Sequence, residues 1–149
     1  MFGFLNFEQR HIKSLRSQLE DTRQRALFRM SPFEQYGLCS VFANIPNEIT
    51  DEIESLSNTD LDGFRKLGQS LMDLAKQGYN ENRAMAGSAG LAGMAGAQGL
   101  AILAIETICR GYRSPEAGLL RADAQRLRMK LVEFYNSRSS GQLLTIDDL

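Results

Sequence analysis

Glu8 and His11 stand three residues apart, the spacing at which di-metal carboxylate bundles present a Glu-x-x-His pair from one helix face. Such a centre takes two pairs and further carboxylates, whereas the chain holds a single histidine. A homodimer would supply the second pair; the simpler expectation is a solvated His11. Cys39 and Cys109 are the other chemically active side chains. A nucleophilic thiol needs a base beside it, and nothing in the sequence brings His11 to either cysteine. Both lie in apolar surroundings and are expected to be buried free thiols.

Three further patterns imply chemistry that their details do not support. Glu48, Asp51, Glu52 and Glu54 offer hard oxygens, but match no EF-hand spacing and read better as charge at a helix start. The glycine-rich run after Arg83 has neither phosphate-binding pattern, and no lysine falls between Gln77 and Lys130. Arg121, Arg126, Arg128 and Lys130 make the last helix basic. Asp123 and Glu133 interrupt them, and no aromatic residue intervenes before Phe134 and Tyr135, so nucleic acid is not an expected partner. The inventory points to a protein that is not an enzyme, with no catalytic, cofactor-binding or metal-ligating residue and no cofactor.

The elements around these residues read as helices. Residues 7–30 place Ile12, Leu15, Leu19, Thr22 and Ala26 on one face. Ser31-Pro32-Phe33-Glu34 has the form of a capping box with proline in the first turn. The helix it opens carries Leu38, Cys39 and Phe42 and must end before Pro46. A short acidic helix is expected over 47–56, with Ile49, Ile53 and Leu56 inward. Thr59 then reads as an N-cap for a helix with Leu61, Phe64, Leu67, Leu71, Leu74 and Ala75 as its stripe and Gly78 as its end. Ser114-Pro115-Glu116 opens the last helix, whose buried face is Leu120, Ala124, Leu127, Leu131 and Phe134.

Between Arg83 and Glu106 lie 22 residues without a charge, with glycine at 87, 90, 93, 96 and 99. A period of three suits an extended collagen-like form, but the larger residues decide otherwise. Leu91, Met94, Gln98, Ile102, Ile105, Cys109 and Tyr112 follow three-four spacing, which is α-helical. The spacing predicts a helix over 82–112 with a flat opposite face of Ala86, Ala89, Gly93, Ala97 and Ala104, interrupted by Leu100. Ala89-xxx-Gly93-xxx-Ala97 is a small-xxx-small pattern that lets another backbone come close. Five interior glycines cost about 5 kcal/mol relative to alanine, comparable with the about 5–15 kcal/mol net stability of a domain. A close neighbour must offset that cost. Core burial, a partner or self-association helix, and a membrane-inserting helix all satisfy this demand.

Composition bounds the rest. Net charge is −1 and 43% of residues are hydrophobic, as in an ordinary globular protein. Charge is segregated: residues 31–62 hold seven acidic side chains and neither Lys nor Arg. The apolar N-terminus is too short and too soon charged for a signal peptide. The expected fold is all-α: a single-domain bundle, 1–149, of about five helices with the Gly/Ala-rich helix central. A C-terminal tail over 140–149 is expected to be loose unless Leu143, Leu144 and Ile146 dock. The expected function is a non-enzymatic interaction protein (adaptor, chaperone, inhibitor or scaffold). It would act through helix faces, with Ala86, Ala89, Gly93, Ala97 and Ala104 as the contact face and another protein or a second copy (a homodimer) as partner. The alternative is a membrane-active protein that inserts 84–105 into lipid. The expected location is the cytoplasm, or outside the cell by export without a cleaved signal peptide.

Overall fold

The computed structural model describes residues 2–85 and 87–137; Ala86 and the tail expected to be loose, 140–149, lie outside the described residues. The described residues form six α-helices and a 3-10 turn, packed as a helical bundle, with no strand among them. The helices are α1 (Phe2–Phe28), α2 (Pro32–Ser40), α3 (Asn47–Ser55), α4 (Leu61–Arg83), α5 (Ser88–Arg110) and α6 (Pro115–Ser137), with the 3-10 turn Val41–Asn44 after α2.

Capping chemistry explains the boundaries. At α2, Ser31 Oγ accepts from the Glu34 amide at 3.2 Å and Glu34 Oε1 accepts from the Ser31 amide at 3.3 Å, a complete capping box. At α4 the N-cap is Asp60, one residue after the expected Thr59; its carboxylate accepts from Gly63 N at 2.9 Å. Ser114 Oγ accepts from Ala117 N at the start of α6. No carboxylate stands at the position that Glu34 fills in α2, and Glu8 of α1 takes its place: Oε1 accepts the Ser114 amide at 3.3 Å. A capping box is thus closed by a side chain from another helix.

The apolar stripes of α1 and α6 pack as their spacing requires. Ile12, Leu15, Leu19, Thr22 and Ala26 are buried, and so are Leu120, Ala124, Leu127, Leu131 and Phe134. On α4, Phe64, Leu71 and Ala75 are buried, but Leu74 is 48% exposed and Met72 takes its place in the core. Leu61 and Leu67 are half-buried.

The break expected between Gly78 and Asn82 falls later. α4 passes through Gly78 and runs to Arg83, and the chain reverses before α5 begins at Ser88. Gly87 has φ +86°, a backbone that only glycine adopts at low cost, and it ends the turn. α4 and α5 therefore form an antiparallel hairpin, and their contacts run in opposite directions. A Cβ on Gly68 would lie 2.6 Å from the Ile108 amide nitrogen, Gly78 faces Ala97 at 3.8 Å, and Gly93 abuts the Asn82 side chain. α2 comes equally close on another side of α5: a Cβ on Gly37 would lie 2.7 Å from Ala92 O, and one on Gly99 2.8 Å from Leu38 O. α5 also touches α6 and α1.

Burial along α5 is uneven. From Ile102 to Cys109 six residues are buried; from Ser88 to Ala101 only Gly90, Ala95 and Gly99 are. The charge-free run ends where Glu106 meets Arg128 of α6 in a bidentate pair at 2.7 and 3.0 Å.

These contacts separate required glycines from tolerated ones. Gly68→Ala is expected to destabilise the fold by at least about 2 kcal/mol, because the Ile108 backbone must move. Gly118 on α6 has nothing within 4 Å, so Gly118→Ala is expected to stabilise by about 1 kcal/mol. Urea denaturation of both variants checks the pair; equal effects would contradict the packing described.

Candidate functional site

Two surface features involve the residues singled out from the sequence. The first is a cleft of about 710 Å³ at the end of the bundle where α1, α4 and α6 begin and α5 ends, bordered by Glu8, Arg65, Tyr112, Arg113 and Ser114 among others. Tyr112 organises it. Its hydroxyl and His11 Nδ1 share a 2.6 Å hydrogen bond, and the rings meet edge-on at 5.6 Å. The Arg65 guanidinium lies 5.6 Å from the centre of the Tyr112 ring and donates to Gly111 O at 2.6 Å.

His11 is therefore half-buried and hydrogen-bonded, not the solvated residue expected. Burial holds its pKa below the ordinary 6.5 and raises that of Tyr112 above the ordinary 10.0. Glu8 and His11 do share a face of α1, but Glu8 is committed to the Ser114 amide. Among the described residues no three His, Cys, Asp or Glu side chains converge as metal ligands. Cys39 and Cys109 are free and buried, and burial pushes each thiol up to about 12, so neither is a thiolate at neutral pH.

The second feature is an apolar groove along α5 between α1 and α4. Its floor is Met94, Ala95, Ala97, Gln98 and Ala101 of α5. Met72, Ala75 and Tyr79 of α4 form one wall; Gln18 and Arg25 of α1, with Arg29 just past its end, form the other. The groove consists of two adjoining cavities, about 250 and 140 Å³, that share Tyr79 and Gln98. Small side chains at 97 and 101 keep its floor low. Arg25 pairs with Asp21 of its own helix at 2.9 Å, while Lys76 stands exposed on the rim. Gln98 Oε1 is buried with no hydrogen-bond partner.

The small-residue face expected to act as one contact surface is divided between these neighbours. Gly93 and Ala97 face α4, and Ala104, on the same stripe, is fully buried. Ala97 also reaches the groove, Ala89 is exposed, and Ala86 lies outside the described residues. Leu91, expected on the larger apolar stripe, is 48% exposed at the mouth of the groove. Sequence periodicity did not reveal the groove, because it assigns a face to a helix without saying which helices flank it. The signal that was present is the run of small residues at 89, 93, 97 and 101.

The cleft yields a pH-dependent outcome. The folded pKa of His11 lies below 6.5, so the unfolded chain binds its proton first as pH falls. The stability contributed by neutral His11 is complete above 6.5 and is lost as pH drops through the lower folded value. His11 is the only histidine, so His11→Gln is expected to flatten the stability-versus-pH curve just below 6.5; an unchanged slope in urea titrations would contradict this. No family model matches the chain, and neither a curated protein nor a solved structure is significantly similar to it.

Proposed function

We propose that this is a non-enzymatic interaction protein that receives a helix of another protein in the groove between α1 and α4. One observation carries the reading: two adjoining cavities along α5, together lined mainly by apolar side chains and closed by no element among the described residues. Helix-in-groove recognition buries an apolar stripe of the ligand against such a surface. The small floor residues let the incoming backbone approach closely. The cleft at the other end favours catalysis less, since Glu8 and Asp60 cap helices, Asp62 pairs with Lys66 and Arg65 holds a backbone carbonyl.

The test is a photo-reactive amino acid in place of Ala101, introduced into the full chain in its native cells. It is expected to cross-link to a second polypeptide, whereas the same residue in place of exposed Gly118 on α6 does not. Equal cross-linking at both positions, or none at Ala101, would overturn the proposal. A cross-link only to the chain itself would make the interaction homodimeric.

A second reading rests on a different region. The tip of the α4–α5 hairpin is uncharged and exposed, with Met85 at 55% and Leu91 at 48%; Phe28 and Phe33 are exposed at the same end of the bundle. α5 is long and apolar enough to cross a membrane, with mean hydropathy 1.5 and 39% of its most apolar window buried. Its C-terminal half is core, so contact with lipid through the tip fits the packing better than a span of 84–105. Under this reading the chain floats with phospholipid vesicles and Met85→Asp abolishes flotation; a chain that never floats sinks it.

A further inference from the structure

We infer that the partner of the α1–α4 groove is an acidic amphipathic helix of about three turns; this rests on the groove reading above. The length follows from the walls. Gln18 of α1 and Arg29, just past its end, bound the groove on that side, eleven residues apart, or about 16 Å of helix. A ligand helix of that length presents one apolar stripe, and the groove offers matching contacts: Leu91 and Met94 at one end, Ala97 and Ala101 toward the other.

Charge decides what flanks the stripe. Arg25, Arg29 and Lys76 border the groove, against one bordering carboxylate, Glu34. Glu34 is already committed to the Ser31 amide. Asp21 offsets Arg25 from one turn away, which leaves Arg29 and Lys76 as the positive charges on opposite walls. A helix with carboxylates on both edges of its apolar stripe would place one row beside each wall. A basic helix would meet like charge on both sides. Rim pairs of this kind are individually weak and act mainly through selectivity and encounter rate.

Two twelve-residue peptides test this with the full chain. Both are side-chain stapled, because a free helix this short does not hold its shape in water. Both carry leucine at positions one, five, eight and twelve; one has glutamate at the flanking positions, the other lysine. The protein contains no tryptophan, so a tryptophan on the outward face of each peptide reports binding by its own emission. The acidic peptide is expected to bind at least about tenfold tighter than the basic one, and less tightly as salt rises. Amide shifts of Ala97, Gln98 and Ala101 locate it in the groove. Arg29→Glu with Lys76→Glu, both exposed and outside the core, is expected to remove or invert the preference.

Equal binding of the two peptides, binding of neither, or a preference that survives the double charge reversal would overturn the inference. So would a concentration-dependent dimer that excludes the peptide, which would assign the groove to a second copy. Failure here with groove-specific cross-linking at Ala101 intact would leave the groove reading standing and remove only the acidic partner. Loss of both would remove the groove as a site.

Discussion

The closeness of helix backbones around α5 is the constraint on which the rest of the structure depends. Gly37, Gly68 and Gly99 sit where a Cβ would lie under 3 Å from the backbone of a neighbouring helix. Each such glycine weakens its own helix by about 1 kcal/mol relative to alanine. The return is dense packing: Ile102, Ile105 and Ile108 are essentially inaccessible to solvent beside α4 and its other neighbours. Not every glycine of the three-residue run takes part. A Cβ on Gly96 would meet only Gly37 O, at 3.5 Å, an ordinary contact. The regular period is therefore less meaningful than the few positions where it coincides with a crossing.

Polar contacts then fix how the other helices lie against one another. Glu8 on the Ser114 amide ties the start of α1 to the start of α6, and Arg16 meets Asp123 at 3.0 Å further along both helices. These two pairs advance together, so α1 and α6 run parallel. The Arg128–Glu106 pair holds α6 to α5 where the charge-free run ends. Gln35 Nε2 donates to Ala26 O at 2.6 Å and joins α2 to the end of α1. The residues named so far hold α1 toward α6 and α2, and hold α4 against α5. The groove lies between these two assemblies.

Much of the fold was legible because period and capping are local. The stripes of α1 and α6 and the Ser31–Glu34 box all follow from residues within one turn or one face. A break before the Gly/Ala-rich helix was legible, but its position after Arg83 was not. Its signal is a glycine, Gly87, among four others that are helical, and neither a charge nor a proline marks the spot. The unbroken three-four spacing of Leu91 onward carried the expected helix back through the turn. Leu74 and Leu91 fit apolar stripes yet stand exposed, since spacing selects a direction on the helix, not whether a neighbour fills it. His11 and Glu8 were read by their spacing to each other. Their partners, Tyr112 and Ser114, are about a hundred residues away, beyond any local pattern.

Several departures from internal consistency fall in one region, beside scattered exposed apolar residues such as Leu74 and Leu119 elsewhere. Most of the C-terminal half of α5 is buried, and its buried Thr107 hydroxyl donates to Leu103 O. In the N-terminal half, Leu91 and Met85 are exposed, small residues occupy positions where larger ones would fill space, and Gln98 keeps an amide oxygen buried without a donor. An unsatisfied buried acceptor costs about 1–3 kcal/mol, and a leucine at the same place would carry no such cost. Such conflicts between local and global preference concentrate where a surface serves something other than stability. The groove gathers the orphan oxygen, the low floor and the exposed Leu91 within one span of α5, while Met85 lies just before it at the hairpin tip. That coincidence, more than the glycine period, is what supports the proposal that this face receives a partner.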